Sequence, residues 1–384
     1  MTKKCRACGG QLFEEPLIIY KNMPNIAQYL PDKDTVKDDM GVDIEIYQCR
    51  YCGLIQLSSE PVSYYRQVIR SSGFSEEMKE FRQDQFKKFV SNYSIKDKKI
   101  VEIGCGNGEY LSIMQQFCSN SYGIEYSDDS VKKCRERGLN VAKGFIDTES
   151  YKLEEKPFDA FFMMNFLEHL PEPNIALRGI YNNLSDDAVG LVEVPNFNMI
   201  LYKKIFADFS TEHLFYFTKD TLLNTLGFNG FDVIDINVIW YENIISAVIK
   251  KKKRVLIDDF INQKELLKYN IDKYLSQFGS KKVAIWGAGH QSLATIVLLD
   301  LKDKIKYVVD SATFKQGKFT PATHLPIVAP EKLISDPVDA VIVIATSYSN
   351  EVAGILRKKY KHISKVAILR NDGLEVIASG GNNE

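Results

Sequence analysis

The sequence predicts an α/β protein in three parts: a small domain stapled by cysteines, a doubly wound parallel sheet behind it, and a second α/β domain at the end. Three observations predict it. Four of the seven cysteines form two matched CxxC pairs near the start. Apolar strands alternate with helical windows from residue 99 onward, and a strand–glycine turn–helix pattern occurs twice, at residues 99–111 and 282–292. A chain of 384 residues fits two or three domains. The expected boundaries are 1–75, 76–254 and 255–384.

Composition limits the function. At 45% hydrophobic and 26% charged residues, wholesale disorder is excluded. The 49 Lys+Arg against 50 Asp+Glu leave a net charge of −1, so no global positive field exists to hold nucleic-acid phosphate or an anionic membrane. The one basic run, Lys250 to Arg254, reads as a solvated domain junction. The start, Met1-Thr2-Lys3-Lys4-Cys5, lacks an apolar signal core, and no window approaches the ~18 apolar residues that span a bilayer. The expectation is a cytoplasmic protein with neither nucleic acid nor membrane as partner, in which cysteines need a reason other than disulfides.

Cys5-Arg6-Ala7-Cys8 and Cys49-Arg50-Tyr51-Cys52 supply that reason. Each is followed by a glycine (Gly9, Gly53), and a two-residue gap lets both thiolates of a pair reach one ion. Two such pairs complete a closed S4 shell, which suits structural Zn2+. The rival, a redox dithiol, normally uses a single CxxC opening a helix after a strand. Cys105, Cys118 and Cys134 have no ligand-like spacing and read as core or loop thiols.

A helical stretch, Glu80 to Tyr93, leads to the strand Lys99 to Ile103 and the turn Gly104-Cys105-Gly106-Asn107-Gly108, with a helix from Glu109. Glycines at alternate positions let the backbone wrap a ligand where a Cβ would clash. The second strand, Ser121 to Tyr126, carries Glu125 about 20 residues beyond the glycines, where a carboxylate can accept both hydroxyls of a ribose. The third ends at Gly144-Phe145-Ile146-Asp147, offering apolar cover and a polar edge to an adenine. The fourth, Phe158 to Asn165, runs into Phe166-Leu167-Glu168-His169-Leu170-Pro171. The fifth, Gly190 to Pro195, places Glu193 and Asn196 at the C-terminal edge as candidates for binding substrate hydroxyls.

At the back, a helical segment (Val255 to Phe278) precedes the strand Lys282 to Trp286, the turn Gly287-Ala288-Gly289, a helix, and the strand Lys306 to Asp310; later strands are expected at 339–346 and 365–369. Gly287, Gly289 and Asp310 match a dinucleotide fingerprint, with Ser292 at the third glycine's place, so a Rossmann-like domain is expected. A nicotinamide dehydrogenase would also need a catalytic domain for hydride transfer, and none is visible beyond the middle sheet.

The run Glu102-x-Gly104-x-Gly106-x-Gly108, with Glu125 and Asn165 to Leu170, resembles the class I S-adenosylmethionine-dependent methyltransferases over residues 98–250. That resemblance implies that Glu102, Gly104, Gly106, Gly108 and Asn165 line the cofactor, that Glu125 holds its ribose, and that Phe145, Ile146 and Asp147 flank adenine. The three-part order resembles the sugar C-methyltransferases, which act on nucleotide-linked ketodeoxysugars. So do Trp286 to Gly289, Val309-Asp310, Lys315-Gln316-Gly317-Lys318 and Pro321 to Ile327. In that family the C-terminal domain is not known for hydride chemistry, which makes the dinucleotide fingerprint a relic.

The implied reaction sets requirements. Carbon is nucleophilic only as an enolate, so a base removes the proton beside the ketone, a donor holds the enolate oxygen, and the methyl lies in line. Family members use an acid–His pair, a further His and tyrosines. The matching pair is Glu212-His213, within Phe209 to Phe217, with His213 as proton acceptor and Glu212 orienting it. The alternative for His213 is a buried histidine satisfying backbone groups. His169 takes either a substrate-side or a structural, cofactor-side role. Tyr64 and Tyr65 serve as donors, as aromatic walls for the sulfonium, or as packing. Where the family commonly has a tyrosine two residues before the pair, this chain has Ser210. That departure keeps open a methyltransferase acting on O or N of another small metabolite. A third reading is a non-enzymatic nucleotide-sensing protein.

Overall fold

A computed structural model of the chain describes residues 4–25, 30–67, 75–280, 282–370 and 373–377. The chain divides into two compact units, Met1–Arg254 and Val255–Glu384.

The first unit begins with β1 (Ile18–Met23), β2 (Val42–Gln48) and β3 (Ile55–Leu57), paired antiparallel. α1 (Glu76–Asn92) follows, its first turn closed by the Ser75 side chain accepting the Met78 N–H. Then come β4 (Ile100–Ile103), α2 (Glu109–Met114), β5 (Ser121–Glu125), α3 (Asp128–Glu136) and β6 (Asn140–Lys143). After these lie β7 (Phe158–Met164), α4 (Pro173–Asn182), β8 (Leu184–Pro195) and α5 (Phe197–Tyr202). The unit closes with β9 (Phe215–Tyr216), α6 (Lys219–Phe228), β10 (Phe231–Ile239) and β11 (Ile244–Lys251).

The main sheet runs β10-β11-β8-β7-β4-β5-β6. From β8 to β6 neighbours are parallel, and the winding reverses between β4 and β7. Such a switch point opens a crevice beyond the C-terminal strand ends. The sheet is not parallel throughout, as the sequence led one to expect: β11 pairs antiparallel with β8 and with β10. A short turn suffices for such a hairpin, whereas another parallel strand would need a crossover. The basic run ends at the division between the two units, with Lys252, Lys253 and Arg254 exposed. Lys250 and Lys251 end β11 against Asp187 and Asp186, and the Lys251 ammonium lies 4.5 Å from the Tyr181 ring centre.

Side chains alternate across the sheet and build two cores. Phe161 and Met163 of β7 pack on one face with Val101, Leu177, Leu222 and Phe231. Ala160, Phe162 and Met164 pack on the other with Phe86 and Phe89 of α1 and Leu111 of α2. Each such large apolar side chain contributes about 1.5–3 kcal/mol on burial. One ion pair crosses the second core: Arg82 and Glu193, both fully buried, meet at 2.6 Å, and Gln85 also donates to Glu193.

The second unit contains α7 (Asp258–Leu275), β12 (Val283–Trp286), α8 (His290–Leu298), β13 (Ile305–Val309) and β14 (Ile327–Val328). It continues through α9 (Lys332–Ser335), β15 (Ala340–Val343), α10 (Ser349–Lys359), β16 (Lys365–Arg370) and β17 (Gly373–Ile377). The sheet order is β14-β13-β12-β15-β16-β17, parallel except for β17. Its glycine turn is explained by its own packing. A Cβ on Gly287 (φ +120°) would lie 2.2 Å from the Ile344 carbonyl oxygen. Asp310 accepts the Ala288 N–H at 2.8 Å, the Ala312 N–H at 2.9 Å and the Lys315 ammonium at 2.9 Å. A ribose hydroxyl would have to displace these partners.

Candidate active site

At the end of β4, Gly104, Gly106 and Gly108 adopt φ values of +70°, +55° and +79°. A Cβ on Gly104 would press on the Phe166 ring at 3.0 Å, and one on Gly108 would meet Leu139 at 2.5 Å. At Gly106 it would meet no atom within 4 Å among the described residues, so the middle of the turn faces open space. Glu125, buried at the end of β5, accepts the Gly106 N–H at 2.9 Å and the Ser127 N–H at 2.8 Å. Its carboxylate therefore braces the turn, in the same way that Asp310 braces the second unit's turn. Glu102 is buried within β4, and Asn165, at φ +48°, leaves β7 exposed with its N–H on the Glu193 carbonyl at 2.9 Å.

Phe145, Ile146 and Asp147 follow β6. Ile146 is buried, while Phe145 meets Tyr65, Tyr126 and Phe166 edge-on, with ring centres 5.9, 6.1 and 6.3 Å away. An open glycine cradle, a buried carboxylate and an aromatic wall thus converge at the crevice, a donor set that fits a nucleoside. Glu193 and Asn196, expected to bind substrate hydroxyls, do not reach it. Glu193 is committed to Arg82, and the Asn196 amide donates to the Glu242 carbonyl at 2.8 Å.

The Glu212-His213 pair is placed by backbone bonds that no local pattern announces. β9 pairs with β3, Ile55 against Tyr216 and Gln56 against Phe215. Leu57 N–H donates to the Leu214 carbonyl at 3.0 Å, and Leu214 N–H donates to the Glu168 carbonyl at 2.8 Å. The segment is therefore stretched between the cysteine-bearing sheet and the turn after β7. Tyr64 donates its hydroxyl to Glu212 Oε1 at 2.8 Å. The Nδ1 of His169 donates to the Glu212 carbonyl at 2.9 Å, leaving Nε2 as the acceptor of the neutral ring. The His169 and His213 rings stand edge-to-face with centres 4.7 Å apart. Glu168, His169 and His213 each bring a ligand-type atom within 4.8 Å of the other two.

Burial sets the protonation of this cluster. It lowers His169 to about 4 and, with the neighbouring imidazole and against the Glu212 carboxyl, lowers His213 to about 3. It raises Glu168 to about 8. At neutral pH both imidazoles are neutral, and burial makes each a weaker base than a free histidine. Beside the pair lies a cavity of about 320 Å³ lined by Ser59, Glu60, Ser63, Tyr64 and Thr211 among others.

Two residues escaped the sequence reading. Tyr216 accepts the Ser210 N–H at 3.0 Å, while Ser210 Oγ accepts the Glu212 N–H at 3.2 Å. Arg66 lies among Tyr65, Tyr126 and Phe145; its only sequence signal is its place beside Tyr64 and Tyr65.

The four knuckle sulfurs lie within 4.8 Å of one another, with Cys5–Cys52 at 3.6 Å and Cys8–Cys49 at 3.4 Å. A tetrahedron with ~2.3 Å Zn–S bonds has S···S edges of ~3.8 Å, so the spacing fits one ion. Gly10 N–H points at Cys8 Sγ and Tyr51 N–H at Cys49 Sγ, both at 3.4 Å.

Sheet order, glycine cradle and braced acid resemble those of class I S-adenosylmethionine-dependent methyltransferases. Residues 74–236 match a family model described as "Methyltransferase domain", and residues 252–368 match "C-methyltransferase C-terminal domain". The chain is similar to the C-methyltransferase NovU of Streptomyces niveus, with 20% identity over 385 residues covering 91% of each protein. It is similar over a shorter stretch to the ubiquinone biosynthesis O-methyltransferase of Methylococcus capsulatus, with 34% identity over 86 residues, covering 21% of this chain and 36% of the relative. A solved S-adenosylmethionine-dependent methyltransferase from Clostridium acetobutylicum aligns with 13% identity and a TM-score of 0.40, covering 49% of this chain and 96% of that one. Among the described residues no helix is long and apolar enough to cross a membrane.

Proposed function

We propose that the chain methylates a carbon beside the ketone of a nucleotide-linked ketodeoxysugar, a small-molecule acceptor met in the cytoplasm. The observation that carries this reading is the cluster of neutral His213, Glu212, His169 and Tyr64 at the turn that follows β7, the strand beside the glycine-bearing β4. S-adenosylmethionine, bound there, supplies an electrophilic methyl. Gly104, Gly106 and Gly108 admit it closely, with Glu102 and Asn165 lining the cradle. Glu125 holds the ribose, and Phe145, Ile146 and Asp147 cover the adenine. His213 takes the proton from carbon, and Glu212 stabilises the imidazolium that results. Tyr64 is the hydroxyl donor beside the pair, His169 Nε2 orients an acceptor hydroxyl, and Tyr65 walls the cofactor side. The sugar enters the cavity beside Tyr64 and Thr211.

Cys5, Cys8, Cys49 and Cys52 hold a structural Zn2+ with no open position, which steadies the sheet carrying β9. Residues 1–75, 76–254 and 255–384 serve as metal, transfer and Rossmann-like domains, the last without hydride chemistry, as the resemblance implies. A second reading, transfer to O or N of another metabolite, is favoured by Ser210 in place of the family's tyrosine.

Methyl-13C-labelled donor with a panel of nucleotide keto sugars tests the proposal. A product whose labelled methyl is bonded to carbon by NMR supports it, and label on O or N establishes the second reading.

A further inference from the structure

Arg66 occupies the place assigned above to adenine. Its guanidinium carbon lies 5.1 Å from the ring centre of Phe145, 5.5 Å from that of Tyr126 and 5.6 Å from that of Tyr65. Its Nε donates to the Tyr65 hydroxyl at 3.0 Å, and a terminal nitrogen meets Asp147 at 3.4 Å. The plane of a guanidinium among aromatic rings, with a carboxylate at its edge, presents the same surfaces that a purine would use. Between Gly104, Glu125, Phe145, Phe166 and Arg66 only about 20 Å³ remains. Ligand pockets run to hundreds of Å³, so no nucleoside enters without moving Arg66.

The arginine is carried by a short strap. Tyr65–Gln67 forms one 3-10 turn, with Tyr65 N–H on the Val62 carbonyl at 3.0 Å and Gln67 N–H on the Tyr64 carbonyl at 2.7 Å. The same turn aims Tyr64 at Glu212. The strap thus touches the cofactor crevice with Arg66 and the proton-transfer pair with Tyr64.

We propose that Arg66 is an affinity-setting residue that fills the adenine subsite and competes with S-adenosylmethionine for it. The inference rests on the cofactor placement given above. Binding breaks the guanidinium's aromatic and Asp147 contacts, and part of the adenine's stacking energy is spent replacing them. Removing the guanidinium returns that energy to the cofactor.

The test is calorimetric titration of the full chain with S-adenosylhomocysteine, comparing wild type, Arg66→Ala, Arg66→Lys and Gly106→Val, with melting curves to verify folding. Competition predicts that Arg66→Ala binds about tenfold more tightly, and that Arg66→Lys, without the planar group, falls between. Unchanged or weaker binding by Arg66→Ala overturns the proposal, weaker binding marking Arg66 as a contact to the bound cofactor. Gly106→Val fills the open cradle without touching Arg66 and should abolish binding. If it binds normally, the cofactor placement itself is wrong, a failure separate from that of the competition.

Discussion

Replacing Glu168 by glutamine should change how stability depends on pH. Glu168 is 1% exposed, and burial raises its carboxyl from 4.5 to about 8. Between those values the folded chain keeps a proton that the unfolded chain has released, so stability is full below pH 4.5 and declines as pH rises toward 8. At ~1.4 kcal/mol per pH unit the loss is about 3 kcal/mol at pH 7 and about 5 kcal/mol at pH 8. His169 acts with the opposite sign. Its imidazole is lowered from 6.5 to about 4, so acidification through that window removes about 3 kcal/mol. Glutamine keeps the shape of the protonated acid and cannot ionise. Urea unfolding from pH 5 to 9 should show Glu168→Gln losing the alkaline decline while keeping the acid limb that His169 and His213 set together. Parallel curves for variant and wild type across pH 5 to 8 would refute the reasoning.

Tyr64→Phe removes a hydrogen bond to the Glu212 carboxyl, worth about 1.5–3 kcal/mol for a charged partner, and should lower kcat roughly 10- to 100-fold with the S-adenosylhomocysteine Kd unchanged. Arg82→Ala strands Glu193 in the core and should cost about 3–5 kcal/mol in urea unfolding, most of which Arg82→Met with Glu193→Leu should restore. Stripping zinc with a strong chelator, or Cys49→Ser, should abolish methyl transfer before cofactor affinity, because β3 holds the strand next to His213. Metal content and turnover measured on the same samples check that order.

What the sequence disclosed was what neighbouring residues determine. The alternating glycines and the acid closing the next strand sit in one βαβ unit, so their spacing placed Glu125 near the turn as a ribose acceptor, while its bond to the Gly106 amide appears only in the structure. The cysteine pairs were legible because two ligands three positions apart are a local pattern. The mate that each pair found is a long-range event, but only one such mate was on offer.

Long-range backbone pairing was not legible. Nothing in Phe215–Tyr216 announces that these two residues add a strand to the cysteine-bearing sheet, yet that pairing aims His213. Glu193 looked like a binding acid because it ends a strand at the functional edge; its commitment to Arg82 depends on α1 crossing that face. The antiparallel hairpin escaped for a related reason, since β10 is an edge strand whose half-exposed residues give a weak apolar signal. Arg66 shows the same limit at a single residue: a cation beside two tyrosines reads as surface until the aromatic wall it faces is assembled from three other segments.

The account stands most directly on His213 removing a proton from carbon. Incubating the protein in D2O with its keto sugar and S-adenosylhomocysteine, which has no methyl to give, isolates that step. Deuterium should enter the position beside the ketone with wild type and fail to enter with His213→Gln. Methyl transfer by wild type with no such exchange, or exchange by His213→Gln at the wild-type rate, would contradict the account.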